Sequence, residues 1–196
     1  MEVFEAIHAR RAVRKYLPDP VPKLEILRIL DAANWAPSAM NRQQWEFVVV
    51  TSRDTIREMG ENYRVIIEEF TRNWDPSPLR GSLSREEFIR YAESYGNAPV
   101  VIVILTDAAD SDDLRKANLE SASAAMENLL LAATASGFGT CWMTGPLRGE
   151  KTLRRILSIP DTKEIVAVTP LGFPAGDPAI QPRLDPALMQ KVRWVG

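Results

Sequence analysis

Apolar residues recur along this chain at two different spacings, and the alternation between them predicts helices interleaved with a few buried strands. Val3, Phe4 and Ile7 fall at helical spacing, and the pattern stops as the chain becomes R-R-A-V-R-K-Y, so a short opening helix ends at a basic stretch. Pro18, Pro20 and Pro22 enforce an extended passage. A second helix runs from Lys23 toward Trp35: Leu24, Leu27, Leu30 and Ala33 draw an apolar stripe, and Pro22 stands where a first turn tolerates a missing N–H. The loop A-P-S-A-M-N-R-Q-Q-W follows, and F-V-V-V-T then reads as a buried strand.

Between Thr55 and Phe70 the period is again helical, but W-D-P-S-P-L-R-G, from Trp74 to Gly81, holds too many breakers to continue it and reads as an excursion. Ser84 with Glu87 is a capping-box pair opening a helix whose end Gly96 marks. V-V-I-V-I-L from Val100 is a second strand. Leu119, Ala122, Met126, Leu129 and Ala133 share one face of a long helix over about 115–136, with Gly137 as its stop. G-F-G-T-C-W-M-T-G-P reads as a strand leaving a glycine turn, and a short helix covers Thr152 to Leu157. E-I-V-A-V-T-P-L-G-F is a further strand in which Pro170 favours an edge or a bulge, and the tail from Pro174 is loop-like. Three or four strands among more abundant helices define an α+β or mixed α/β class.

Composition narrows this pattern. The 196 residues suit one compact domain, and 45% hydrophobic with 26% charged residues leaves little room for a long disordered arm. A formal net charge of −2 supplies no basic field for nucleic acid or an anionic membrane. Cys141 is the only cysteine, the N-terminus lacks the pattern of a secretory leader, and no apolar run is long enough to cross a bilayer; a cytoplasmic location is expected.

Candidate chemistry begins with Arg10, Arg11 and Arg14, which lie within five residues. They suit either a solvated helix end facing the dipole or an anion clamp, since planar guanidinium donors match phosphate oxygens in pairs. Neither a dinucleotide fingerprint nor a P-loop is present. One His and one Cys do not make a usual zinc set, so no metal is expected, and a side-chain hydrolase lacks its base. His8 reads as an exposed helix residue, and Cys141 and Trp45 as core residues. An enzyme so poor in catalytic side chains can still work if a cofactor carries the chemistry.

I-H-A-R-R-A-V-R-K-Y, A-P-S-A-M-N-R-Q-Q-W-E-F-V-V-V, N-A-P-V-V-I-V-I, S-A-S-A-A-M-E-N-L-L-L-A-A, G-F-G-T-C-W-M-T-G-P, V-T-P-L-G-F-P-A and Q-P-R-L-D-P follow one another in this order. Together they resemble the successive signatures of the nitroreductase family over almost the whole chain except about residues 60–95. The resemblance implies a central, mostly antiparallel sheet flanked by helices, in a homodimer that shares its FMN sites. Arg10 and the tail residue Arg183 would hold the phosphate, with Arg11 in the same basic cluster, and Arg14 would reach the ring edge near N1 and O2. Pro37, Ser38, Ala39 and Asn41 would come from the partner subunit, and Trp142, Met143, Thr144 and Gly145 would line the other side. Ala12 stands where the family often has Ser or Thr, and Gln44 where it usually has Pro.

The implied activity passes hydride equivalents from NADH or NADPH to an organic acceptor such as a nitroaromatic or a quinone, in ping-pong fashion. Arg14 would act as an electrostatic stabiliser. Residues 1–196 would form one FMN-binding domain with a variable lid at about 60–95, where Tyr63, Phe70, Trp74, Tyr91 and Tyr95 either stack on planar substrates or pack the helices. Reductive dehalogenation, flavin fragmentation and a non-catalytic flavin sensor remain the alternatives.

Overall fold

The computed structural model describes residues 1–73, 84–178 and 188–196. The Trp74–Gly81 excursion and Arg183 lie outside the described residues. Helices α1 (Val3–Ala9) and α2 (Lys23–Asn34) precede strand β1 (Glu46–Val50), and α3 (Arg53–Phe70) and α4 (Arg85–Ser94) follow it. Then come β2 (Val100–Asp107), α5 (Asp112–Ala135), β3 (Gly139–Thr140), α6 (Glu150–Leu157) and β4 (Lys163–Gly172). The four strands form one antiparallel sheet in the order β1-β2-β4-β3, flanked by helices as expected for the α+β class. No described helix is long and apolar enough to cross a membrane.

The central strands β2 and β4 are buried on both faces, and β2 shows how. Successive strand side chains point to opposite faces. Val100, Ile102 and Ile104 therefore enter a core with α2 and α5, while Val101, Val103 and Leu105 enter a second core with α3 and α4. On β4 the alternation breaks once. Ile104 pairs with Ala167 and Leu105 with Ile165, leaving Val166 as the extra residue of a bulge. Val166 and Ala167 consequently face the same core.

The long helix is the Asp112–Ala135 element, with Ala122, Met126, Leu129 and Ala133 fully buried and Gly137 left-handed (φ 82°) just past its end. The capping box at Ser84 is formed in both directions. Gly96 does mark the end of α4, left-handed (φ 69°) one residue past the cap at Tyr95, which is itself left-handed. Three sequence expectations are corrected. In α2, Ile26, Ile29 and Ala33 face inward, whereas Leu24 and Leu27 are exposed, because this helix carries apolar residues on two faces. G-F-G-T-C-W-M-T-G-P contains only a two-residue strand plus a single bridge from Met143 to Val168. Pro170 lies within β4, an interior strand, and the bulge is at Val166; β3 pairs only with Leu171 and Gly172 beyond the proline.

Helices α3 and α4 cross closely at Gly60, where an added Cβ would lie 1.9 Å from the Glu93 carbonyl oxygen. No rotamer relieves a clash with backbone. Gly60→Ala should destabilise the fold by about 1–3 kcal/mol, the usual cost of overpacking, read as a lowered urea midpoint with unchanged slope. A midpoint equal to wild type would mean that the two helices do not cross this closely.

Candidate functional site

Two backbone ties bring the basic N-terminal segment against the glycine turn. Ala12 bridges Thr140 in parallel, with the Val13 amide donating to the Thr140 carbonyl at 2.8 Å. Met143 pairs with Val168 through reciprocal bonds of 2.9 Å, which pins the chain after β3 to the sheet. The result is a cleft of about 310 Å³ lined by Arg14, Trp142, Met143, Thr144 and Gly145, all expected at the site. Tyr63, Phe70, Phe88, Tyr91 and Arg148 complete its walls. Of the lining residues, Trp142 is partly exposed and Cys141 is buried.

The floor is made by close packing. An added Cβ at Gly145 would meet the Tyr63 hydroxyl at 2.6 Å, so the turn lies directly on α3. Burial raises the Tyr63 pKa, reinforced by Cys141 and opposed by Arg14 and Arg148, so this hydroxyl stays a neutral hydrogen-bond donor. Tyr91 donates to Met143 Sδ at 3.0 Å, and Tyr95 stacks on Tyr63 with centroids 5.9 Å apart. Tyr95 is packing, Tyr63 and Tyr91 are both packing and cleft wall, and the half-exposed Phe70 is cleft wall.

None of Pro37, Ser38, Ala39 and Asn41 lines this cleft. Their loop is anchored to α5 instead: the Ala39 amide donates to Ser121 Oγ at 3.0 Å, and Gln44 Nε2 donates to Asn118 Oδ1 at 3.0 Å. Within the loop the Gln43 amide donates to Ser38 Oγ at 3.0 Å, and Gln43 Nε2 to Asn41 Oδ1 at 2.8 Å. Met40, Asn41 and Gln43 are left-handed, with φ of 53°, 54° and 49°. Residues other than glycine adopt this conformation at a cost of roughly 1–3 kcal/mol each, so the anchors hold a strained shape that is typical of ligand-binding loops. Met40 is 81% exposed, so the loop presents itself outward.

Arg10 sits at the surface with only a loose contact to Glu127 on α5, 3.8 Å away, which leaves most of its donors unused. Arg11 Nη1 donates to the carbonyls of His8 and Arg10, at 2.6 and 2.8 Å, and so caps the end of α1. His8 is exposed and Trp45 is buried, its Nε1 donating to Asn34 Oδ1. Sequence reasoning missed Arg148, Ser121 and Asn118. The last two lie three residues apart on one buried face of α5, a position that shows nothing until the loop is docked.

The described residues thus define a helix-flanked antiparallel-sheet protein with an aromatic cleft whose lining carries cationic side chains and no acidic one. The family model described as Nitroreductase family matches residues 7–173, and the chain belongs to that family. A Methanothermobacter thermautotrophicus protein assigned provisionally as an NADH dehydrogenase/NAD(P)H nitroreductase is 32% identical over 197 residues, 99% of this chain and 88% of that one. The 5,6-dimethylbenzimidazole synthase of Rhodospirillum rubrum is 30% identical over 174 residues, 84% of this chain and 78% of the relative. The Bacteroides fragilis nitroreductase solved with bound FMN shares the fold at a TM-score of 0.72 with 22% identity, covering 100% of both chains.

The anchors make a direct test of the loop's shape possible. Ser121→Ala removes the acceptor for the Ala39 amide and should cost about 1 kcal/mol. Hydrogen exchange should quicken at Ala39 and Gln43 ahead of the α5 core amides; protection unchanged at these two positions would show that Ser121 does not hold the loop.

Proposed function

We propose that this protein is an FMN-dependent oxidoreductase that takes hydride equivalents from NADH or NADPH and delivers them in turn to an organic acceptor such as a nitroaromatic or a quinone. The observation that carries this reading is that Arg14, with no ion-pair partner among the described residues, shares one cleft with the Thr144–Gly145 turn. The amides of that turn find no protein acceptor among the described residues, and they suit a polar ring edge. The fit extends outward, since Arg10 keeps donors for a phosphate. One phosphate's worth of arginine and the lack of a dinucleotide fingerprint favour FMN over FAD. FMN supplies the two-electron chemistry that no side chain of this chain can perform.

The protein's part is to bind and to bias. Arg10 and Arg183 hold the phosphate, with Arg11 beside them fixing the end of α1. Arg14 places a permanent positive charge at the ring edge, where negative charge appears only on reduction, so it stabilises the reduced state selectively. Trp142, Met143, Thr144 and Gly145 line one side of the ring. Pro37, Ser38, Ala39 and Asn41 serve the site of a second copy in a homodimer. Support for the homodimer comes from that loop's absence from its own cleft and from exposed Val3 and Phe4 on α1 with Leu24 and Leu27 on α2. Residues 1–196 act as one domain, residues 60–95 choose the acceptor, and the cytoplasm is the working compartment. The 30% identity with a 5,6-dimethylbenzimidazole synthase supports a second reading, a specialised reaction of the same family. Release of a benzimidazole by the reduced protein in air would establish it.

The protein should purify yellow, heat should release FMN, and NADH or NADPH should bleach the bound colour until an acceptor restores it. Recovery of FAD alone, or a flavin that resists both nicotinamides, would refute the oxidoreductase reading. Arg14→Gln should lower the potential of the FMN-saturated protein by about 20–60 mV. This follows from losing about 1–3 kcal/mol of charge-assisted bonding in the reduced state only, at about 30 mV per 1.4 kcal/mol. Arg10→Gln should instead weaken FMN binding and leave the potential close to wild type, because the phosphate charge is the same in both states. Spectroelectrochemical titration separates the two; a larger potential shift in Arg10→Gln would reverse the assignments.

A further inference from the structure

We infer that Arg148 is an anion subsite for the acceptor, so that the site selects planar aromatic molecules carrying a carboxylate over their neutral counterparts. This deepens the flavin reading and rests on it. Arg148 follows the Gly145 turn, and its guanidinium carbon lies 4.3 Å from the centroid of the Phe70 ring at the end of α3. A cation–π contact of this kind holds the guanidinium without using up its N–H donors. Among the described residues Arg148 makes no ion pair and donates no side-chain hydrogen bond. This is not a local shortage of acids. Arg154 and Arg155, on the helix that follows, are paired with Glu150 at 2.7 Å and Glu58 at 2.9 Å.

The neighbours of Arg148 fit the same ligand. Phe70, Phe88, Tyr91 and Trp142 give the cleft aromatic walls for a planar ring. Tyr63 lines the same cleft as Arg14 and Arg148, and its hydroxyl makes no hydrogen bond among the described residues. With Arg14 committed to the ring edge of FMN, Arg148 is the remaining cation among the described residues of the cleft lining. Its planar donors match a carboxylate in pairs, and among the described residues no carboxylate of the lining competes for them.

Benzoate and benzamide, nearly identical in shape and different in charge, are the probes. Each is titrated calorimetrically into the FMN-loaded protein, with the perturbation of the flavin spectrum as a second readout. Benzoate should bind about tenfold more tightly or better, as expected for a bond to a charged group. Arg148→Met should retain FMN and abolish that preference by weakening benzoate alone, and Arg148→Lys should restore part of it. Equal affinities in the wild type, or a preference that survives Arg148→Met, would overturn the subsite. A wild-type protein that takes up no FMN would instead defeat the flavin reading. The same calorimetric pair on that protein and on Arg148→Met then decides whether Arg148 binds the carboxylate.

Discussion

A strand buried on both faces has no side chain left to point at water, and β2 is such a strand. Its antiparallel ladder with β4 fixes which residues meet α5 and which meet α3 and α4, since a slip of one residue would exchange the two cores. The base of the cleft is placed from this ladder. Val168 on β4 holds Met143, the Ala12–Thr140 bridge brings Arg14 alongside, and α3, packed on the opposite edge of the same core, supplies Tyr63 beneath Gly145.

Electrostatics then gives the cleft its character. Among the described residues two guanidiniums stand amid aromatic rings, and the lining carries no acid to neutralise them. Tyrosines in such a setting are held neutral by burial, as Tyr63 and Tyr91 are, so they supply shape and donors without adding negative charge. The positive potential therefore belongs to the site and not to the chain, whose net charge is −2. An anionic ligand is drawn to the cleft by local charge and not by the chain as a whole.

Where local signals act locally, the sequence was a sufficient guide. Ser84 and Glu87 cap a helix through their own backbone, and Gly137 stops one by its own φ, so neither depends on distant partners. The ordered motifs identified the family for the same reason. What escaped depends on tertiary context. Leu24 and Leu27 lie at the same helical spacing as Ile26 and Ile29, and only docking on α5 tells one stripe from the other. E-I-V-A-V-T is apolar almost throughout, so nothing in it marks Val166 as the bulged residue. Arg148 reads as an ordinary turn residue because its meaning comes from Phe70, which is remote in the chain. Its position just after the T-G-P turn was the one available hint.

The cleft is composite in a way that bears on how such proteins diversify. Its base, Arg14 with Trp142–Gly145, is fastened to the sheet by main-chain bonds that do not depend on side-chain identity. Phe70 and Phe88, by contrast, project from helices joined to one another by a crossing at Gly60, outside the strand ladder. Substitutions in those helices can reshape the walls while the base keeps its register. Mutational drift is thus channelled toward new ligands at little risk to the scaffold, and one architecture can be retuned many times without being refolded.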